Sequence, residues 1–207
     1  MAENPNSRLE AFSDGVFAIA LTLLIIDIKI PSTESIHTNG DLWHAIKHIT
    51  PSIFAFLLSF IVILITWVNH HNFFKLVNKS SPHFIYANGF LLLVVVFIPF
   101  PTALLGDNLL TDHAAPAVVL YNSVFAIQAI AWNLLSRSGL QSKLLTKNEQ
   151  SAIAMRSTLK QSYPAFILYS VLAILGSWFP LSVSIVSGAT WIFWLIYGIN
   201  IEGEEAP

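Results

Sequence analysis

Apolar residues fall into long runs that only a few charges interrupt. No Asp, Glu, Lys or Arg occurs from His48 to Phe74, from Ser80 to Gly106, or from His113 to Ser136. Gln161 to Ile201 is a fourth such run, 41 residues long, and Pro180 divides it near the middle. A membrane-spanning helix takes roughly 20 apolar residues. These runs therefore predict five spans, the last two joined by a tight turn. Leu9 to Ile30 is a sixth, although it carries Glu10, Asp14, Asp27 and Lys29. A helix this polar must face protein or water rather than lipid. Prolines set the boundaries: Pro51, Pro82, Pro116 and Pro164 stand at helix starts, the last with Ser162 as its cap. Pro31 stops the first helix, and Pro99 and Pro101 end or kink the third. The predicted spans are Leu9–Ile30, Pro51–Phe73, Pro82–Leu105, Pro116–Ser136, Pro164–Phe179 and Leu181–Ile201.

The expected fold class is all-α: one polytopic membrane domain over residues 1–207, with six transmembrane helices. Residues 137–162 form a polar connection within it, with a short helix over Asn148 to Leu159. Six spans put both termini on one side. That side holds Arg8, Lys75, Lys79, Arg137, Lys143, Lys147, Arg156 and Lys160, and the other holds only Lys29 and Lys47. The bias predicts cytoplasmic termini, and no cleavable signal is recognisable.

Composition narrows the function. Hydrophobic residues make up 55% and charged ones 11%, with a net charge of -2, and mean hydropathy is +0.65. This excludes a soluble globule and a basic nucleic-acid footprint. The absence of cysteine excludes disulfides, cysteine-ligated metals and thiol nucleophiles.

The first helix carries the chemistry. With Ile19 at zero on a helical wheel, Phe12, Gly15, Leu23, Ile26 and Ile30 lie within about 40° of it, and Thr22 sits on the flank at about 60°. Ser13 and Asp14 lie on the back, more than about 100° away. A carboxylate inside a span costs on the order of 2.5–3.5 kcal/mol and is expected to be paired. Glu10 is a like charge one turn away, so the partner comes from another helix. Topology brings Asn69, His70 and Asn88 to the same level as Asp14. A cluster of Ser13, Asp14 and these three is expected, without ranking. A carboxylate in the headgroup layer is the alternative.

Arg8-Leu-Glu-Ala-Phe12-Ser13-Asp14-Gly15, followed by an Ile/Leu-rich helix, resembles the signature of the transmembrane protein 175 family of potassium channels. The resemblance implies a homotetramer in the plasma membrane of a prokaryote, with the first helices lining a central pore. It implies a constriction at Ile19, with further rings at Leu23 and Ile26. Thr22, with Ile19, is implied in ion preference. Arg8, Phe12, Ser13 and Asp14 form the motif that anchors the helix. Permeant potassium ions are expected in the pore, and no cofactor. No Thr-x-Gly-Tyr-Gly loop is present, so selectivity by a carbonyl cage of that kind is excluded and only modest potassium-over-sodium selectivity is expected. At the outer mouth, Asp27 is the best candidate for attracting cations, against the plainer reading of solvated loop charge.

Other chemistry is weaker. His44 and His48 have metal-pair spacing but lack the rest of a His-Glu-x-x-His motif. Ser177 has no histidine on the last two spans to act as base. Enzymatic activity is not expected. A secondary transporter would need broken helices in matching halves and midplane charges, which the sequence lacks. A non-transporting scaffold is the third alternative.

Overall fold

The computed structural model describes residues 5–29, 31–32, 34 and 36–204, with residues 193 and 196–204 described by their backbone alone. Its regular structure is helical apart from one isolated bridge, Val77 to Thr146. The helices are α1 (Ser7–Leu23), α2 (Asn39–His48), α3 (Thr50–Lys75), α4 (Pro82–Phe97), α5 (Pro99–Asn108), α6 (Ala114–Gly139), α7 (Glu149–Gly176) and α8 (Pro180–Glu204). Among the described residues, four segments are long and apolar enough to cross a membrane: Ser7–Asp27, Thr50–Lys75, Pro82–Asn108 and Ala114–Gly139. Pro180–Ile192 is a shorter apolar stretch.

Helix starts follow side-chain chemistry. Ser81 caps α4 by accepting from Phe84 N–H at 3.2 Å, with Pro82 at the first position. Asn148 caps α7 by accepting from Ser151 N–H at 2.8 Å. Ile98 joins α4 to α5, at the prolines expected to interrupt the third span.

Three boundaries differ from expectation. α1 stops at Leu23, and Leu24–Asp27 continue as a 3₁₀ turn before Ile28 becomes extended. Helix ends often tighten in this way. The expected Ile30 terminus lies outside the described residues. Pro164 does not start the fifth helix, and Ser162 does not cap it. α7 runs through both, because an interior proline removes only one backbone bond. The helix expected over 148–159 is therefore the first half of α7, and much of 137–162 is helical. α2 was not anticipated at all. Its Thr38–Asp41 capping box is complete: Asp41 N–H donates to Thr38 Oγ1 at 3.1 Å, and Thr38 N–H to Asp41 Oδ2 at 2.8 Å. The Thr38 side chain first, then the His37 and Thr38 backbone N–H groups, hold the Asp41 carboxyl below its usual range.

α6 is the centre of the bundle, packed along α7 and against α4, α5 and α8. Three of its buried polar side chains are bonded across helices, whereas the buried Ser136 hydroxyl has no partner among the described residues. Tyr121 OH lies 3.0 Å from Ser59 Oγ, which is 2.7 Å from Thr102 Oγ1. Gln128 Nε2 donates to Thr66 Oγ1 at 2.8 Å, and Ser187 Oγ to Asn122 Oδ1 at 2.8 Å. Such pairing is what an interior without water requires.

The ends of the bundle differ in charge. One carries the α3–α4 and α6–α7 connections, with Lys75, Lys79, Arg137, Lys143 and Lys147. Here the connections pair: Asn78 N–H donates to Leu145 O at 2.7 Å and Lys147 N–H to Leu76 O at 3.1 Å. The buried Asn6, just before α1, donates to Val77 O at 3.3 Å. The start of α1 is thereby tied to the basic end.

Candidate functional site

α1 packs against α3 and α4 at the edge of the subunit. Its buried stripe is Ser13, Phe17, Ala20 and Leu24, spaced four, three and four residues apart. The opposite face is open: Phe12 is 62% exposed, Ile19 58%, Leu23 38% and Ile26 70%. Gly15, Ala18 and Thr22 share that exposure. A Cβ added at Gly15 would meet nothing within 4 Å. One helix thus has a face locked into its own subunit and a bulky apolar face that its subunit leaves uncovered.

Two polar ties fix the locked face. Ser13 Oγ donates to Leu9 O at 2.8 Å and accepts from Asn88 Nδ2 at 3.0 Å. Asn88 Oδ1 lies 2.7 Å from His70 Nε2. Because the Asn88 amide nitrogen donates to Ser13, its oxygen accepts, so the imidazole carries its hydrogen on Nε2. The His70 ring is held between Phe17, 5.2 Å away, and Phe74, 4.4 Å away. All three polar members are buried. The second tie is Asp14: its Oδ1 accepts from the Trp67 indole N–H at 2.9 Å. The Trp67 ring in turn stacks on His71.

The expected cluster therefore exists with a different wiring. His70 and Asn88 serve Ser13 rather than Asp14, and Asn69 is exposed and outside the network. Trp67 is the partner that the sequence reading missed. It lies at the expected level, but an indole hides a donor inside an apolar residue. Arg8 and Phe12 do not anchor α1 within the subunit, since both point outward. The cause for Phe12 is its register: it stands seven residues before Ile19, on the same face. Thr22 Oγ1 donates within its own helix, to Ile19 O at 2.9 Å. Asp27 is half-buried beside a pair formed by Lys29 and Asp107. Among the described residues, no group of three or more His, Asp or Glu side chains is placed to hold a metal ion, and His44 and His48 sit on α2.

Trp67→Phe keeps an aromatic side chain, though a smaller one, and removes the donor. It should destabilise the folded protein by roughly 0.6–2 kcal/mol, the range for one interhelical bond in a membrane. Thermal unfolding in detergent measures this, and an unchanged midpoint would show that the bond contributes nothing.

Comparison with known proteins decides the family. The profile described as "Endosomal/lysosomal potassium channel TMEM175" matches residues 8–99, which hold both ties. A Chryseobacterium protein named a potassium channel is 34% identical over 173 residues, covering 83% of this chain and 82% of its own length. The chain belongs to the TMEM175 family. A second relative, a potassium channel of Chamaesiphon minutus, is 47% identical over 133 residues. That match takes in 64% of this chain and 65% of the relative, just under two thirds of its length. The crystal structure described as a lysosomal potassium-selective channel TMEM175 homolog from Chamaesiphon minutus superposes with a TM-score of 0.79. It is 35% identical, and the superposition covers 94% of this chain and 98% of that one. The all-helical TMEM175 fold is thus shared over nearly the whole chain.

Proposed function

We propose that this TMEM175-family protein is a potassium-permeable cation channel, built from several copies around a pore lined by α1. The observation that carries the reading is the division of α1 into an anchored face and an uncovered apolar face. Lipid could cover such a face, but the exposed Thr22 on it favours water over lipid. One such helix cannot enclose a bore, so copies must meet around a symmetry axis. A tetramer fits the bulk of the side chains: four Ile19 residues close a narrow opening, with Leu23 and Ile26 as further rings. A bore of this kind excludes ions when it loses its water. Gly15 and Ala18, small and exposed, widen the passage toward the basic end. The relatives named potassium channels supply the permeant ion.

The excess of Lys and Arg at the end that carries Asn6 and the α3–α4 and α6–α7 connections favours a cytoplasmic location for that end, in a plasma membrane. Six crossings follow if α7 and α8 both span. At the opposite mouth, Asp27 and Asp107 outnumber Lys29, leaving a local excess of negative charge that concentrates cations.

The test is reconstitution of the purified oligomer in liposomes with a potassium gradient. Protein-dependent potassium flux is expected. Assembled protein that gives no flux, or a species that stays monomeric in mild detergent and lipid by native mass spectrometry, overturns the reading.

Thr22 carries a separate expectation. With its proton committed to the Ile19 carbonyl, the hydroxyl offers lone pairs outward, which suits a partly dehydrated cation. Thr22→Val keeps the shape and removes the oxygen. Potassium-over-sodium preference should fall while the pore still conducts. Identical reversal potentials in mixed potassium and sodium would make Thr22 a packing residue.

A further inference from the structure

α6 and α7 run antiparallel in a register set at three levels. A Cβ on Gly139 would lie 3.0 Å from Met155 Sδ, and one on Gly176 would lie 3.0 Å from Val118 Cγ1. Between these close approaches, Asn133 Nδ2 donates to Ser162 Oγ at 3.1 Å. Around that bond the helices separate and leave a cavity of about 190 Å³, lined by Ala129, Ile130, Asn133, Ser162, Tyr163 and Phe166. Its two halves differ. Away from the basic end the walls are Ala129, Ile130 and Phe166. Toward the basic end they are Asn133, Ser162 and Tyr163, and Arg137 reaches down to donate to Tyr163 OH at 2.8 Å.

Among the described residues, Arg137 has no carboxylate for a partner. The ion pairs among the described residues join Lys29 to Asp107 and Arg156 to Glu149. Arg137 donates to a neutral phenol, and the residue is exposed. Lys160 is exposed one turn from Tyr163. An apolar slot therefore lies one to two turns inside the bundle, beneath a cation at the depth where α6 leaves the apolar layer. A ligand that fits both halves has a hydrocarbon chain and a single negative headgroup one chain-end away.

We infer that this slot binds an anionic phospholipid from the leaflet at the basic end. The phosphate meets Arg137 and the Tyr163 hydroxyl, and an acyl chain lies against Ile130 and Phe166. A free anion would leave the apolar walls unused. A zwitterionic lipid would gain less from Arg137 and from Lys160, one turn from Tyr163, because basic side chains near a membrane surface favour anionic lipids by about 1 kcal/mol each.

The test is native mass spectrometry of the purified oligomer with phosphatidylglycerol or phosphatidylcholine of the same chain length. Phosphatidylglycerol should be retained in preference. Arg137→Gln should raise its half-saturating concentration about fivefold. Ile130→Trp, at a position 40% exposed, should fill the slot and displace the lipid without disturbing the core; it decides the matter if Arg137→Gln fails to assemble. Millimolar inorganic phosphate should not compete. Equal retention of the two lipids, unchanged phosphatidylglycerol binding in the variants, or displacement by phosphate would each overturn the inference. So would a change in oligomeric mass on Ile130→Trp, which would mean that a second copy fills the groove.

Discussion

Asn88→Leu should lower the stability of the folded subunit more than any other single change at the α1 anchor. Asn88 is the middle of a chain in which every group has one role: His70 donates to it, and it donates to Ser13. Leucine has the same branched skeleton with bulkier methyl ends, so the shape is largely kept. What it leaves is an imidazole N–H with no acceptor and a serine oxygen that has lost its donor. The serine still gives its own proton to Leu9 O, so most of the loss falls on His70. An orphaned buried donor costs about 1–3 kcal/mol, and no water reaches a bilayer interior to relieve it. The double variant His70→Phe with Asn88→Leu separates this account from a packing account. Phenylalanine suits the space between Phe17 and Phe74, and removing both partners at once is far milder than removing one. The double variant should therefore regain much of the lost stability. Unfolding midpoints that simply add would place the effect in packing.

This anchor was partly legible in the sequence, and its wiring was not. Topology alone puts the N-terminal turns of α1 level with the end of α3 and the start of α4, so Ser13, His70 and Asn88 could be grouped from span order. Which polar atom meets which depends on rotations of a few tens of degrees that sequence does not report. Asp14 was paired with amides and imidazoles because those are visibly polar; its partner is the Trp67 indole. The spans behave similarly. Charge-free runs locate α3, α4 with α5, α6 and α8 closely, because apolar length is a strong constraint in lipid. α7 misled, since a proline after a polar stretch looks like a helix start, yet α7 passes through Pro164 while its flanks pack against α6. α2 was missed although Thr38 and Asp41 spell a capping box, because its ten residues are too few for a span and fall in a loop between two.

The two faces of α1 also explain why an anchor of this strength is needed. In the proposed pore, a helix that turns bulky side chains toward the axis would gain nothing from its own chain on that side. Its position must be set from behind. Ser13 and Asp14 do this in the first half, Phe17, Ala20 and Leu24 in the second, and Asn6 ties the start to the Val77 connection. In that proposed pore the constriction would be only as narrow as the scatter in the position of its ring, so the polar ties and the exposed stripe would act as one device.

Ile19→Asn should in turn raise conductance and reduce ion discrimination. Ile19 lies midway along the exposed stripe, one turn before Leu23 and one after Gly15. An isoleucine ring has no polar atom, so water in a narrow bore there loses hydrogen bonds and leaves, and an ion cannot follow without its shell. An asparagine amide is smaller in apolar surface and offers both a donor and an acceptor to water. If the hydrated ring lowers the barrier by about 1.4 kcal/mol, flux rises about tenfold. Discrimination should fall at the same time, because ions that keep more of their water no longer differ by their dehydration energy. The substituted side chain points away from the Ser13, Asn88 and His70 network, so assembly should be preserved. Single-channel recordings of the parent and variant in mixed potassium and sodium read both quantities. A well-assembled Ile19→Asn oligomer with the parent's conductance and reversal potential would remove Ile19 from the conduction path and move the constriction to the Leu23 or Ile26 ring.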